Sequence, residues 1–459
     1  MAATTTLITP EQVHKILSRH ILTDGLPMVL DMERSQGVYL YDKLSGRRFL
    51  DFFGFYATSA LGMNHPKMLA DKEFLKRLQE AALNKVTNSD VYTEHMAHFV
   101  QTFERVGMPP HLPYAFFIDG GALAVENALK AAFDWKVKKN FQRGYRFERG
   151  HQVIHFDQAF HGRSGYTLSL TNTADPRKTA YFPKFNWPRV LNPKANVPLT
   201  DENLEKIEQQ EQLAIRQIKN YFRMYPDDIA AIIIEPIQGE GGDNHFRPQF
   251  LEALRQLADE NEALLIFDEV QTGVGATGTF WAYQGLGVRP DILAFGKKTQ
   301  VCGILASKRL DEVPDNVFHE SSRINSTWGG NLVDMVRFDK TLEIIEEDRL
   351  VEHAARVGKH LLRRLQELAS LHASVTNPRG RGLFCAFDLP SEDFREEVRK
   401  RAYERGLIIL GSGVQSIRFR SPLIVTEKEI DEGIDILSST IREVEQERGL
   451  VSNGRNEDQ

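Results

Sequence analysis

The sequence predicts an α/β protein built on a mostly parallel sheet, with a smaller α+β unit attached. Three observations carry this. Ala230 to Ile237, apolar up to Glu235-Pro236, and Ala263 to Phe267, apolar throughout, show the pattern of strands covered by helices on both faces. Segments with helical period, Asp201 to Tyr221 and Pro248 to Asn261, alternate with those runs and give a βαβ rhythm through the middle of the chain. In the last third the rhythm changes to short strands between charged amphipathic helices, which reads as the separate α+β unit.

Taken in order, Thr9-Pro10-Glu11-Gln12 has the residues of a helix start, with Thr as cap and Pro in the first turn, so Glu11 to Arg19 is expected to form a peripheral helical arm. Gly37 to Asp51 reads as a hairpin with Gly in its turn. The aromatic stretch Phe52-Phe53-Gly54-Phe55-Tyr56 suits either core or the wall of a site for an aliphatic substrate. His65, before Pro66, reads as a structural turn residue.

Pro113 to Ile118 forms a strand, Asp119-Gly120-Gly121-Ala122 a tight turn, and Leu123 to Val137 an amphipathic helix. Such a unit points backbone N–H groups at the positive end of a helix dipole and suits a phosphate, although a Gly-Gly pair by itself more often marks a plain βα turn. Gln152 to Phe156 is a strand followed by Phe160-His161-Gly162-Arg163; Phe160 suits stacking on a flat ring, and Arg163 is either a carboxylate fork or a solvated charge. Asp201 to Tyr221 reads as a solvent-facing helix, and the run from Ala230 leads into Glu235-Pro236-Ile237-Gln238-Gly239-Glu240. Gly303 to Ser307 is a strand, Asn325 to Gly330 a loop, and Leu332 to Glu347 and Leu350 to Ala369 are helices. Strands at Leu383 to Leu389, Leu407 to Leu410 and Ser416 to Phe419, with helices at Glu392 to Arg405 and Glu427 to Gln446, complete the α+β unit before a polar tail, Gly449 to Gln459, expected to fray.

The chain has 459 residues, 41% hydrophobic and 26% charged, an ordinary globular composition long enough for more than one domain. A formal net charge of -6 gives no reason to expect nucleic acid or an anionic membrane as partner. Cys302 and Cys385 are the only cysteines, too few for a disulfide framework or a cysteine-based metal site, which fits a reducing compartment. Met1 to Pro10 lacks the basic and apolar regions of a leader, and no apolar run is long enough to span a bilayer, so a cytoplasmic location is expected.

Chemistry enters where two of these strands end. The run from Ala263 delivers Asp268-Glu269 at its carboxyl end, and the short run Ile292 to Phe295 leads directly into Gly296-Lys297-Lys298. A buried aspartate needs a cationic partner. An amine held in an apolar pocket loses part of its preference for the proton and becomes a nucleophile towards an aldehyde near neutral pH. The two together suggest pyridoxal 5'-phosphate, whose protonated ring nitrogen pairs with a carboxylate and whose aldehyde condenses with a lysine.

Read together, Asp119-Gly120-Gly121, Phe160-His161-Gly162-Arg163, Glu235-Pro236-Ile237-Gln238-Gly239-Glu240, Asp268-Glu269-Val270-Gln271-Thr272-Gly273, Gly296-Lys297, Ser326-Thr327 and Arg418-Phe419 resemble, in that order, the class III (ω-type) pyridoxal-phosphate aminotransferases, from about Tyr39 to Glu443. The resemblance implies the type I fold of these transferases, like that of aspartate aminotransferase. In that fold a large domain with a mostly parallel seven-stranded sheet is joined by a small α+β domain drawn from both chain ends. On this basis residues 1–75 form an arm and part of the small domain, 76–330 the large domain and 331–459 the rest of the small domain.

Gly296 to Gly303 and Ile324 to Gly330 are similar to the branch of the family that acts on the ε-amine of lysine. The phosphate turn has Gly121-Ala122-Leu123 where the wider family often has Ser and Glu, and Ala276 stands where Arg is common; both departures resemble the same branch. Carried over residue by residue, Lys297 condenses with the cofactor and then moves the proton. Asp268 keeps the ring nitrogen protonated, Gln271 bonds the ring hydroxyl, and Phe160 and Val270 sandwich the ring. Gly121 and Ala122 amides hold the phosphate with Thr327 of a second subunit, which implies a homodimer with sites at its interface. Arg163 clamps the distal carboxylate of lysine and Arg418 that of glutamate or 2-oxoglutarate. Glu240 masks Arg418 when lysine enters, and Asn325 adds a polar contact. The expected reaction is ping-pong transfer of the lysine ε-amino group to 2-oxoglutarate. Other ω-amino donors, such as ornithine, 4-aminobutyrate or diaminobutyrate, and a mutase or decarboxylase on the same fold stay open at this stage.

Overall fold

The computed structural model describes residues 8–450; most of the expected frayed tail therefore lies outside the described residues. The centre of the molecule is a seven-stranded sheet made of β1 (Tyr114–Ile118), β2 (Gln152–Phe156), β3 (Arg189–Val190), β4 (Ile229–Ile234), β5 (Leu264–Asp268), β6 (Ile292–Phe295) and β7 (Cys302–Ala306). Their spatial order is β1-β7-β6-β5-β4-β2-β3. β7 runs antiparallel to both its neighbours, whereas β6, β5, β4, β2 and β3 pair parallel, so the mostly parallel sheet predicted from the apolar runs is what forms. Every residue of β4, β5, β6 and β7 is buried, because helices cover both faces. Gly121–Gln142 packs across β6, β7 and β4 on one face, and Pro248–Glu260 packs on β5 and β4.

Most of the expected strands form close to their expected bounds, and proline accounts for one of the differences. The run expected from Ala230 to Ile237 is cut at Glu235-Pro236, and Ile237–Gln238 pairs instead with Asn244–His245 in a two-stranded ribbon. Proline has no N–H for a central ladder, so the sheet ends there and the chain turns away. The helix expected at Leu123 starts two residues earlier, which puts Gly121 and Ala122 into its first turn.

Three smaller assemblies flank the sheet. Tyr39–Tyr41 and Arg48–Asp51 form the expected hairpin, and Leu407–Ile408 joins it parallel to the second strand, so the two ends of the chain share one sheet. The single strand expected from Leu407 to Leu410 is therefore two: Leu410–Ser412 leaves for a four-stranded antiparallel sheet with Ser416–Arg418, Phe384–Asp388 and the edge strand Thr376–Arg381. Leu332–Glu347 packs on Lys72–Leu83 and Glu94–Val106, and Leu350–Leu371 packs on the edge strand and on Glu427–Glu447. Among the described residues no helix is long and apolar enough to cross a membrane, and both cysteines are buried and free.

Candidate active site

The carboxyl ends of β2, β4, β5 and β6, with the turn after β1, open into one cleft of about 1360 Å³. This is where open α/β sheets hold ligands, since the loops leaving the strand ends diverge and leave space. Ten of the twelve predicted site residues line it: Gly121, Ala122, Phe160, Arg163, Glu240, Asp268, Val270, Gln271, Lys297 and Arg418.

Asp268, the last residue of β5, is 5% exposed. Its Oδ1 accepts the Val270 amide at 3.1 Å, and its Oδ2 faces His161 Nδ1 at 2.8 Å. An ionised carboxylate only accepts, so Nδ1 of His161 carries the hydrogen and the ring sets the orientation of the acid. Sequence reasoning quoted His161 within a motif but gave it no role. The neighbouring acids are just as firmly held. Glu235 accepts the amides of Phe160 at 2.9 Å and Gly239 at 3.0 Å, and burial pushes its pKa up to about 7. Glu269 accepts Thr272 Oγ1 at 2.6 Å and the amides of Ala282 at 2.9 Å and Tyr283 at 2.8 Å, with burial again pushing it up to about 7.

Lys297 follows β6, whose Ala294 lies in register with Asp268, so strand pairing alone brings amine and acid to one cleft. The backbone at Lys297 is left-handed, φ +57°, an unfavourable conformation for a lysine that turns its side chain off the strand line and into the cleft. At Gly296 an added Cβ would sit 3.0 Å from Cys302 Sγ and 3.3 Å from Val270 Cγ1, so the space behind Lys297 admits only glycine comfortably. Burial, then the positive charges of Arg418 and Arg420, lower the Lys297 amine to about 8, while Asp268 opposes them. Among the described residues no hydrogen bond or ion pair holds this amine. Lys298, by contrast, is fully buried and donates to the Gln271 carbonyl at 3.3 Å.

Gln271 is fixed from the other side. Its Oε1 accepts Arg420 Nε at 3.1 Å and Arg418 Nη1 at 3.4 Å, which leaves its NH₂ as the free donor. Arg420 is itself clamped on Asp243, at 2.8 and 2.5 Å, and lies over Phe384. Gly120 caps the helix Gly121–Gln142 with φ +99° and no side-chain hydrogen bond, so the amides of its first turn, Gly121 and Ala122, face the cleft unoccupied by any cap. That is an anion cradle of the kind helix N-termini supply.

The remaining wall is less constrained. Arg163 is exposed at the rim, its guanidinium carbon 5.9 Å from the Phe160 ring centroid. Phe55 and Tyr56 line the cleft from a left-handed turn, φ +51° and +57°, started by Asp51 Oδ1 accepting the amides of Phe53 and Gly54 at 2.9 and 2.7 Å. The aromatic stretch is thus divided, with Phe52 in the core and Phe55 and Tyr56 at the wall.

Glu240 stands aside from Arg418 in this structure; its Oε1 accepts Thr173 Oγ1 at 2.8 Å and Lys178 Nζ at 2.5 Å. Lys178 reaches in from a loop that gave no local signal in the sequence. Asn325 and Thr327 are exposed and do not line the cleft within one chain.

The donor set fits pyridoxal phosphate: a buried acid with one face to the cleft, an unpaired low-pKa lysine, an amide donor beside them and an uncapped helix start for the phosphate. A type I fold with this site defines a pyridoxal-phosphate enzyme. The chain belongs to the class III aminotransferases, whose family profile matches residues 22–441. It is 56% identical over 434 residues to the L-lysine-epsilon aminotransferase of Mycobacterium tuberculosis, covering 94% of this chain and 96% of that one. It is 49% identical over 436 residues to the enzyme of that name from Streptomyces clavuligerus, covering 95% of each. Among solved structures, the lysine aminotransferase from M. tuberculosis in the internal aldimine form superposes with a TM-score of 0.93 at 55% identity, over 95% of this chain and 100% of that one.

Proposed function

We infer that this chain is an L-lysine 6-transaminase. It moves the ε-amino group of L-lysine to 2-oxoglutarate, giving L-glutamate and 2-aminoadipate 6-semialdehyde, which closes on its own α-amine to piperideine-6-carboxylate. The observation that carries this reading is 56% identity over 94% of the chain to an L-lysine-epsilon aminotransferase, in a molecule whose cleft holds both Lys297 and Asp268.

Bound pyridoxal phosphate supplies an aldehyde that exchanges amines and a ring that accepts the electron pair left when a carbon gives up its proton. The protein's own groups do the rest. With the cofactor bound, Lys297 would take the proton from the ε-carbon of lysine and hand it to the cofactor's former aldehyde carbon. In the second half-reaction it delivers the proton to the α-carbon that becomes glutamate. A pKa of about 8 suits both directions, because the amine is neither locked as a cation nor too weak a base near neutral pH. Asp268, oriented by His161, would hold the proton at the ring nitrogen. Gln271 would donate to the ring hydroxyl, with Phe160 and Val270 against the ring. The Gly121 and Ala122 amides would take the phosphate, joined by Thr327 from a second subunit of a homodimer. The exposure of Thr327 and Asn325 outside their own cleft supports that arrangement. Arg163 takes the α-carboxylate of lysine, with a polar contact from Asn325. Arg418 takes the α-carboxylate of glutamate or 2-oxoglutarate, and Glu240 covers Arg418 during lysine binding. With only two cysteines in 459 residues, the chain suits a reducing compartment such as the cytoplasm.

Steady-state kinetics with lysine, ornithine and 4-aminobutyrate side by side test the donor. Lysine is expected to give the highest kcat/KM with 2-oxoglutarate, and a clear preference for either of the others overturns the assignment.

A further inference from the structure

We propose that Lys178, assisted by Thr173, is a specificity-determining residue: it captures the Glu240 carboxylate and so holds Arg418 open for the dicarboxylate substrate. The inference rests on the reading of Glu240 as a mask over Arg418 and adds the group that competes with Arg418 for it.

Two buried groups are left half-satisfied on facing sides of the cleft. Glu240 spends one oxygen on Lys178 and Thr173, while its Oε2 is buried with no partner among the described residues. Arg418 is buried; among the described residues its Nε has no hydrogen-bond partner, and its one side-chain hydrogen bond is the 3.4 Å approach of Nη1 to Gln271 Oε1. A buried guanidinium with free donors and no carboxylate is a site prepared for an incoming one. The carboxylate that would otherwise fill it is held back by a second cation. One anion between two cations is a bistable arrangement, and exchanging the partner leaves the net charge of the cleft unchanged.

The surroundings let only the side chain move. The Glu240 carbonyl accepts the Gly413 amide at 2.8 Å, and Arg395 donates to the carbonyls of Ser412, Gly413 and Val414 at 3.3, 3.0 and 2.7 Å, so the Glu240 backbone is fastened to a fastened loop. Lys178 is placed with similar care. Asp175 takes both the amide and the Nε of Arg177, at 3.1 and 2.9 Å, which turns Arg177 outward and leaves Lys178 as the inward cation. Its loop starts at Thr171, whose Oγ1 donates to the Gly162 carbonyl at 2.7 Å, and so is tied to the segment that carries Phe160 and Arg163.

The test measures each half-reaction by stopped flow, and glutarate binding to the holoenzyme by calorimetry, for wild type, Lys178→Met, Lys178→Arg, Glu240→Gln and the Lys178→Met/Glu240→Gln double variant. Lys178→Met is expected to weaken glutarate by about tenfold and to shift the ratio of the half-reactions towards lysine by a similar factor, within the range such couplings produce. Lys178→Arg restores both, and in the Glu240→Gln background Lys178→Met has no further effect. Equal weakening in both backgrounds, or equal loss in both half-reactions, overturns the proposal. If Glu240→Gln itself leaves the ratio unchanged, the masking role of Glu240 falls; if Glu240→Gln shifts it and Lys178→Met does not, only the role of Lys178 falls.

Discussion

At the ends of the sheet strands Asp268, Glu235 and Glu269 accept between two and three hydrogen bonds each from amides, a hydroxyl or an imidazole. Across the cleft Glu240 Oε2 and Arg418 Nε have none, and Arg163 stands exposed at the rim. The first region is fixed because its job is the same in both half-reactions; electrostatic preorganisation works only if the groups do not have to move. The second must present one face to an amine and another to a carboxylate, and a fully satisfied network could not do so. The same cleft therefore pairs a rigid floor with a switchable wall.

Variants of the floor should lower both half-reactions together, whereas variants of the wall should act on one. The largest effect is expected from Asp268→Asn, which removes a buried charge that His161 and the cofactor ring both read. Both half-reactions should fall by about 10²- to 10³-fold, the rate equivalent of roughly 3–4 kcal/mol of lost charge interaction. A fall confined to one half-reaction, measured by stopped flow, would break the comparison. The wall variants at Lys178 and Glu240 come next, with their selective shift.

The smallest effect lies beneath the floor, at Lys298. Burial lowers its pKa from 10.5 to about 7, with Arg420 and Lys297 adding to the shift. A cation depressed in the folded state costs stability in full below pH 7, and the cost fades as pH rises towards 10.5, where the unfolded chain also loses the proton. Lys298→Met is therefore expected to raise Tm by about 2 °C or more at pH 7 and by less at pH 9.5. Calorimetric scans at the two pH values check the sign, and a gain that grows with pH would contradict it.

Much of the floor was legible because strand periodicity, apolar runs and strand-end polarity are local signals. Asp268 and Lys297 sit where two buried strands stop, and parallel pairing brings them together. Glu235 and His161 stood inside motifs already noticed, yet their roles depend on contacts made across 75 and 107 positions of chain, which no local pattern encodes. The wall was harder to read. Glu240 was assigned to Arg418 through the family resemblance, but Lys178, 62 residues away on a loop, holds the carboxylate in this structure. In the fold, the edge strand Thr376–Arg381 escaped because Pro378 and Gly380 weaken any strand pattern; it is tolerated there because the strand is at the sheet edge, with a register shift between Thr376 and Arg379. Leu407 to Leu410 looked like one strand because nothing in four apolar residues records a change of partner sheet.

The central claim is that Lys297, and not the more deeply buried Lys298 beside it, is the amine that meets the cofactor opposite Asp268. Borohydride reduction of the yellow holoenzyme followed by peptide mass mapping tests this most directly. The account predicts a single phosphopyridoxyl mass on Lys297, absent in Lys297→Ala, which should still bind cofactor but not sustain turnover. Label on Lys298, or wild-type turnover by Lys297→Ala, would contradict it.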